Sequence, residues 1–450
     1  MKTISILCPM AVAMGVLTGC EGDDITFAPE AGTGTGDGGT VKDGTVQDST
    51  SNDVVQDVVH DAKPDADAAT VPQRVLVTAN YASSSELLAI DVATGKTDGT
   101  LIFPGYLGTT DAHSKLFPFL LEQSNDLVAR LDAVKPWVID SSWNVSEPQD
   151  GGYPYTDPYA AVVAAGDNTY VLRYDRNEIA VINALQMVDG GKTLPPIDLS
   201  SLVQAGGDGT VEMTAGVYIA SANTVYVVLG NIDQNTVAAP AYDLLCTGTT
   251  STVVGIDATT NKIKSLGGTG PGGAIALKGF DPVANGTVYD PTFPPAGRLL
   301  ILEAGCNTPV DGGPGPITKR GVEQVNLNDG TTTMLLDTTA AFPSAQGYPS
   351  SIVYISKTSA VLGFDYTGFE VYAWDPTTTT LGSQIMNAPD LFTYDGLGNL
   401  LGAVTTYDDA GSTTKVVRVD IATSKQTVIS TPTFTTPGGF IGGVDVWPQP

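Results

Sequence analysis

A short motif repeats along the chain and constrains its fold more than any other feature. The first copy, Leu87 to Thr97, reads LLAIDVATGKT: an apolar strand ends at Asp91, a turn follows, and the chain returns through Lys96. Asp and Thr side chains can hydrogen-bond the backbone amides of such a turn, so we interpret them as structural. The position of Asp91 recurs six more times, at spacings of 41 to 74 residues: Asp132, Asn183, Asp257, Asn326, Asp375 and Asp420. These spacings are typical of four-stranded sheet units with loop insertions.

The two ends of the repeat region predict that the units close into a ring. The first unit begins at a second-strand position, because Arg74 to Ala79 aligns with Thr224 to Gly230, so its inner strand is missing. A spare strand, Gly439 to Trp447, follows the seventh unit and would fill that gap, which removes an unpaired sheet edge. With 51 Gly, 29 Pro and only 16% charged residues, the composition favours short strands over long helices. We predict an all-β, seven-bladed β-propeller of four-stranded blades over residues 73–450.

The text of the repeat resembles a known family. Val77 to Asn80, followed by Ile90 to Lys96, is similar to the YVTN repeat of surface-layer-type and lactonase-like β-propellers. The resemblance implies the propeller fold. It implies no catalytic residue, because the matching residues all belong to the repeat.

The N-terminal residues predict export and a lipid anchor. Lys2 precedes an apolar run, Ile4 to Leu17, that is too short to span a membrane as a mature helix, so residues 1–19 are interpreted as a cleaved signal. The following Leu17 to Cys20 resembles the lipobox of bacterial lipoproteins, which implies acylation of Cys20 and membrane attachment. Glu21, Asp23 and Asp24 resemble sorting signals that favour the outer membrane; the leaflet stays open.

Residues 20–72 are predicted to form a tether. From Glu21 to Pro72 the chain has 12 acidic and two basic residues, with apolar residues scattered singly or in pairs. Such a segment cannot bury a core and repels itself. A flexible chain of this length has a root-mean-square span of about 40 Å, enough to hold a domain away from a membrane surface.

The acidic charge that remains outside the tether excludes some classes of ligand, and two cysteines predict a disulfide. Of the net charge of −28, about 19 negative charges remain without the tether, which argues against binding nucleic acid or an anionic surface. Cys246 and Cys306 lie in the long loops Asn231 to Ser251 and Ala304 to Arg320, which belong to adjacent units, so an exported chain is predicted to join them by a disulfide.

The sequence has little of the chemistry that common enzymes need. His113 is the only histidine within the predicted fold and we interpret it as an exposed loop residue, because no G-x-S-x-G motif accompanies it. Asn326 to Gly330 resembles part of a calcium loop but lacks the terminal Glu and falls on a hairpin. No cofactor is predicted, although a calcium ion in the channel stays open.

Candidate ligand contacts lie where the chain runs into its inner strands. Several of these connections share a Gly-Tyr or Gly-Tyr-Pro signature. Their side chains would surround one mouth of the channel and could contact a sugar or peptide; alternatively the tyrosines pack between blades. The candidates are Tyr106, Tyr153, Tyr155, Asp157 and Tyr348.

Three functions are compatible with this pattern. The first is a monomeric, non-enzymatic binding or scaffold module at the cell envelope, with a membrane anchor and an envelope protein or carbohydrate as partner. The second is a propeller hydrolase or lyase acting on sugars or lactones through a carboxylate or calcium centre. The third is a structural surface-coat component. Convergence of three or more Asp, Glu or Asn side chains in the channel would favour the second function.

Overall fold

The computed structural model folds into a seven-bladed β-propeller. The structure describes residues 71–449, except 82, 106, 115, 147–154, 165–167, 186–192, 236, 239–242, 311–312, 341–347, 366–368, 388–390, 409–410 and 436–438. Each blade is an antiparallel sheet whose strands we name inner, second, third and outer. We call the face where the inner strands begin the upper face; the loops between second and third strands lie there too. The opposite face is the lower face.

Each of the seven blades contains one of the predicted repeats, beginning with blades 1 to 3. In this order, inner to outer, the strands of blade 1 are Phe440–Trp447, Arg74–Asn80, Ser84–Asp91 and Thr97–Pro104. Those of blade 2 are Gly108–Asp111, Phe119–Glu122, Leu127–Leu131 and Ile139–Asn144. Those of blade 3 are Pro158–Val163, Asn168–Arg173, Glu178–Asn183 and Leu194–Asp198.

The next two blades carry the long insertions. The strands of blade 4 are Met213–Ile219, Thr224–Leu229, Thr252–Asp257 and Lys262–Lys264, and Ile275–Ala276 also pairs with the third strand. Those of blade 5 are Pro282–Asp290, Arg298–Glu303, Gly321–Asn326 and Thr332–Asp337. The insertions form two hairpins, Val237–Ala238 with Asp243–Leu244 and Cys306–Val310 with Gly313–Thr318.

Two further blades complete the ring. The strands of blade 6 are Tyr348–Ser356, Ser359–Asp365, Phe369–Trp374 and Gln384–Asn387. Those of blade 7 are Leu391–Tyr394, Asn399–Asp408, Gly411–Asp420 and Lys425–Ser430. Short 3-10 helices lie in the connections at Gln123–Asn125, Ser200–Leu202, Ala220–Ala222 and Pro271–Gly273.

Blade 1 is closed from both ends of the domain, as the sequence predicts. The inner strand Phe440–Trp447 pairs antiparallel with Arg74–Asn80, in a register that sets Trp447 opposite Arg74. The unpaired edge that Arg74–Asn80 would otherwise present is therefore covered.

Seven apolar clusters hold the ring together, one between each pair of neighbouring blades. Alternate residues of one strand belong to different clusters: Val75 and Val77 pack against blade 7, whereas Leu76 packs against blade 2. Because both faces of each sheet are buried, the second strands read as apolar runs rather than as alternating patterns. An eighth cluster lies under the insertions on the upper face.

The seven repeated Asp and Asn residues brace turns on the lower face, which confirms their predicted role. Oδ1 of Asp91 accepts the backbone N–H of Thr94 at 2.6 Å and its hydroxyl at 2.8 Å. Equivalent bonds are made by the other six: Asp132, Asn183, Asp257, Asn326, Asp375 and Asp420. Leu87 to Thr97 is thus part of the outer hairpin of blade 1.

Some strands fall outside the predicted units. The inner strand of blade 5, Pro282–Asp290, was not predicted because a register shift between Pro282 and Thr287 interrupts its apolar pattern. The outer strand of blade 3, Leu194–Asp198, was also not predicted. In blade 6, Thr377 to Thr380 belongs to a turn, and the outer strand comes later, at Gln384–Asn387.

Candidate functional site

The predicted ligand contacts that the structure describes lie at the upper mouth of the channel. Tyr155 is 39% exposed and lies just before the inner strand of blade 3, next to Asp157. Tyr348 begins the inner strand of blade 6, and the Arg320 guanidinium lies 5.4 Å from the centre of its ring. Pro158 and Pro349 pair with the ends of their second strands and are both followed by a register shift, so Asp157 and Tyr348 hold equivalent positions. Tyr106 and Tyr153 lie outside the described residues.

The residue directly before an inner strand, which we call the lead-in residue, has the same backbone geometry in blades 2 to 5. Each has a positive φ, between 43° and 68°, that turns the chain into the channel. Each carbonyl accepts the N–H of the residue after the second strand; in blades 3, 4 and 5 the distances are 2.9, 2.8 and 2.8 Å. The four lead-in residues are Leu107, Asp157, Glu212 and Asp281.

Three consecutive lead-in residues are acidic, although the turn itself does not require an acid. Leu107 adopts the same left-handed conformation in blade 2 with an apolar side chain. Asp tolerates this conformation better than most residues, but Glu has no such preference. The turn therefore does not account for the carboxyl groups of Asp157, Glu212 and Asp281, of which Glu212 makes hydrogen bonds of its own.

Two of these acids belong to a group of five side chains that we call the mouth cluster: Asp157, Tyr159, Tyr174, Asp175 and Asp281. The Tyr159 and Tyr174 rings stack with centres 5.0 Å apart and planes at 27°. Tyr159 interacts electrostatically with all three carboxyl groups. Oδ1 of Asp157 is buried and has no hydrogen-bond partner among the described residues. The cluster thus combines an aromatic surface with three acids, one of which has an unsatisfied carboxyl oxygen.

The environment changes the protonation of these carboxyl groups. Burial, followed by the nearby Asp175 and Asp126, raises the pKa of Asp157 to about 8. Burial raises the pKa of Asp281 to about 7. Burial also raises the pKa of Asp175 to about 6; Arg176 opposes this rise and Asp208 adds to it. At pH 7, Asp157 is mostly protonated whereas Asp175 is mostly ionised.

Further buried acids lie behind the mouth cluster. Glu212 is fully buried, accepts the N–H of Ile232 at 2.9 Å and bonds the Thr210 hydroxyl, and burial raises its pKa to about 9. Glu303 is also fully buried, and neither carboxyl oxygen has a partner among the described residues. Burial, then Glu323 and Asp281, raises the pKa of Glu303 well above its usual range.

A bulge in the inner strand of blade 5 contacts the inner strand of blade 3. The inner strand of blade 5 shifts register between Pro282 and Thr287, and the bulge contains Asn285. Nδ2 of Asn285 donates to the carbonyl of Tyr159 at 3.2 Å, which connects the inner strands of blades 5 and 3 across blade 4. Bulges of this kind commonly redirect side chains beside functional sites.

The two insertions form a rim against the mouth cluster. Cys246 and Cys306 are joined by a disulfide, which confirms the sequence prediction. The N–H of Cys246 donates to the carbonyl of Asn307 at 2.9 Å. Tyr174 packs in the same apolar cluster as the two cysteines. The insertions and the mouth cluster are therefore one connected region of the upper face.

His113 lies at the other end of the channel, after the inner strand of blade 2. Its Nδ1 is 2.8 Å from Oδ1 of Asp111, while Oδ2 of Asp111 accepts the N–H of Ala161 in blade 3 at 2.9 Å. The imidazole is 68% exposed, as expected for a loop histidine, but its buried carboxylate partner was not predicted. The only sequence signal for this pair is that Asp111 and His113 are two residues apart.

The described part of the chain offers no arrangement typical of a metal site or membrane span. Among the described residues, no group of three or more His, Cys, Asp or Glu side chains could hold a metal ion. Asn326 to Gly330 forms a hairpin turn, where the Asn326 side chain accepts the N–H of Asn328 at 3.0 Å. No helix in the described ranges is long and apolar enough to cross a membrane.

Comparisons with known proteins identify the fold and go no further. No family model and no curated protein matches the sequence. Among solved structures, a candidate 6-phosphogluconolactonase from Bacteroides fragilis is 13% identical with a TM-score of 0.52, covering 84% of this chain and 99% of that one. A protein from Lactobacillus plantarum is also 13% identical, with a TM-score of 0.51, covering 83% and 99%. The predicted lactonase-like β-propeller is therefore confirmed as a fold.

Proposed function

We propose that this chain is a lipid-anchored binding module of the bacterial cell envelope, favouring the outer membrane, whose ligand docks at the mouth cluster. The observation that carries the proposal is the unpartnered, buried Oδ1 of Asp157 beside the stacked rings of Tyr159 and Tyr174. Binding sites typically combine an aromatic surface with a few converging polar groups. The disulfide-linked rim and the Asn285 bulge fix the position of this surface.

Binding is tested on the full chain purified in detergent. We expect one or more members of a panel of neutral oligosaccharides, lactones and alkylamines to raise the melting temperature of the wild type. Tyr174→Ala should abolish the shift, because it removes half of the aromatic pair. The matched control is Asp132→Asn, which changes a lower-face turn to the residue that Asn183 supplies in blade 3. A panel without effect, or an equal shift in Tyr174→Ala, would contradict the proposed site.

The anchor is tested separately. Cys20→Ala should move the protein from the membrane fraction to the soluble fraction of the envelope, because the acyl attachment point is lost. Globomycin should cause the precursor to accumulate. Continued membrane fractionation of the Cys20→Ala protein would contradict the anchor without affecting the binding site.

A hydrolase is the second candidate, and one observation favours it. Asp157, with a pKa of about 8, and Asp175, with a pKa of about 6, are neighbours with different protonation at pH 7. Such a pair can supply a general acid and a general base. Hydrolysis of nitrophenyl glycosides or lactones, with a bell-shaped pH profile lost in Asp157→Asn, would support this function. Full turnover by the Asp157→Asn protein would exclude it.

A further inference from the structure

The acidic side chains of the mouth cluster are not matched by an equal number of basic side chains. The three acids Asp157, Asp175 and Asp281 lie close enough for each to act on the Tyr159 hydroxyl. Among the described residues, Arg176 is the cation that acts on this group, and it acts on Asp175. Asp157 is influenced only by burial and by further carboxylates, Asp175 and Asp126.

The imbalance is not needed for folding. Leu107 makes the lead-in turn of blade 2 without a carboxyl group, so this turn does not require Asp157 or Asp281 to be acidic. Burying carboxyl groups without partners opposes folding. Asp157 Oδ1 and both oxygens of Glu303 lack hydrogen-bond partners among the described residues, and Glu303 is 0% exposed. Asp281 also acts on Glu303, which lies behind it.

We infer that the ligand of the mouth cluster is an organic cation, namely a primary amine or a basic side chain carried by a larger molecule. The inference rests on the proposed binding function and specifies the ligand class. An ammonium group would donate a hydrogen bond to the unpartnered Oδ1 of Asp157 and lie against the aromatic surface of Tyr159 and Tyr174, as cations do on aromatic rings.

Binding of a cation should release protons. The groups around Asp157 and Asp281 include further acids, two tyrosines and one arginine, and the arginine acts on Asp175 rather than on Asp157 or Asp281. These groups are Asp126, Tyr159, Tyr174, Asp175, Arg176, Asp208, Glu212 and Glu303. A bound ammonium would lower the raised pKa values of Asp157 and Asp281, so both carboxyls would lose protons to solvent near pH 7. A neutral sugar would not have this effect.

The test is isothermal titration of the full chain in detergent with 1,5-diaminopentane, using 1,5-pentanediol as the uncharged probe of equal length. We expect the diamine, but not the diol, to bind. The binding enthalpy should depend on the ionisation enthalpy of the buffer, because protons are released. Affinity should rise about tenfold per pH unit while one carboxyl must lose its proton, and level off above about pH 8.5. Asp157→Asn should weaken binding at least about tenfold, as expected for loss of a charge-assisted hydrogen bond, with Asp132→Asn unchanged.

Several outcomes would overturn the inference. These are absence of diamine binding, binding without proton release, or equal affinity in Asp157→Asn. Proton release is measured on the wild-type protein. Misfolding of the Asp157→Asn protein would therefore not affect this part of the test. If cellotriose binds without proton release and Tyr174→Ala abolishes its binding, the organic cation is excluded while the proposed binding function stands.

Discussion

The two faces of the propeller use acidic residues in opposite ways. On the lower face, Asp91 accepts hydrogen bonds from Thr94, which outweigh burial and lower its pKa. Hydrogen bonds from Thr260 likewise lower the pKa of Asp257. On the upper face, burial raises the pKa values of Asp157 and Asp281. The same side chain stabilises the fold where its hydrogen bonds are satisfied and opposes it where they are not, which separates structural acids from candidate functional ones.

The largest stability effect is expected from the rim that exists on the upper face only. Replacing Cys246 and Cys306 by Ser removes a covalent link across 60 residues. We expect the free energy of unfolding to fall by about 3 kcal/mol. Denaturant unfolding measures the loss, and dithiothreitol treatment of the wild type should reproduce it. An unchanged midpoint in both experiments would show that the insertions do not stabilise this face.

The next effect concerns the upper-face acids. A carboxyl with a raised folded pKa favours folding below its unfolded pKa, and this contribution is lost as pH rises through the folded value. Wild-type stability should therefore fall between about pH 4 and pH 8, the range set by Asp157 and Asp281. Asp157→Asn with Asp281→Asn should raise the unfolding free energy at pH 8 by about 2 kcal/mol. Melting curves of the wild type and the double variant at about pH 4 and pH 8 measure the effect. If the stability of the double variant falls with pH as steeply as that of the wild type, the prediction is wrong.

A smaller effect of opposite sign is expected on the lower face. Asp91→Ala removes the acceptor for the amide and hydroxyl of Thr94 and should reduce stability by about 1 kcal/mol at pH 7. Because the pKa of Asp91 is lowered, its contribution is present above the unfolded pKa and is lost as pH falls below about 4. Asp91→Asn is the control, since Asn183 fills this position in blade 3. Equal destabilisation by both substitutions, measured by urea unfolding, would argue against turn bracing.

The smallest effect tests the lead-in turn itself. Leu107 has a φ of 68°, which is unfavourable for Leu and better tolerated by Asn. Leu107→Asn should therefore raise stability by about 0.5 kcal/mol without introducing a charge. Thermal unfolding at pH 5 and pH 8 should show the same gain. A gain at only one pH would mean that polarity, rather than backbone conformation, controls this position.

The fold could be predicted because its signals are local and repeated. Turn acids such as Asp91 end third strands, and the spare strand at Gly439 to Trp447 had one vacant place in the ring. The cysteine pairing followed from the insertions in adjacent units. The inner strand of blade 5 escaped detection because Asn285 and Gly286 interrupt its apolar run at the bulge.

The candidate site was only partly predictable. Asp157 was identified from its place beside Tyr155, but Glu212 and Asp281 were missed because a single acid before a strand resembles an ordinary loop residue. Their common signal is an acid directly preceding the inner strand in three successive blades. The acidic lead-in residues converge with Tyr174 and Glu303 through contacts between second strands and neighbouring loops. The spacing of the repeats does not encode these contacts.

The closure of blade 1 also constrains how the protein is made. Arg74 and Trp447 are neighbours in the folded sheet although synthesis separates them by nearly the whole domain. During synthesis, the first three strands of that blade lack their inner partner until the last strand emerges. Loss of the final ten residues would therefore leave the earliest blade incomplete and its edge open to pairing with other chains.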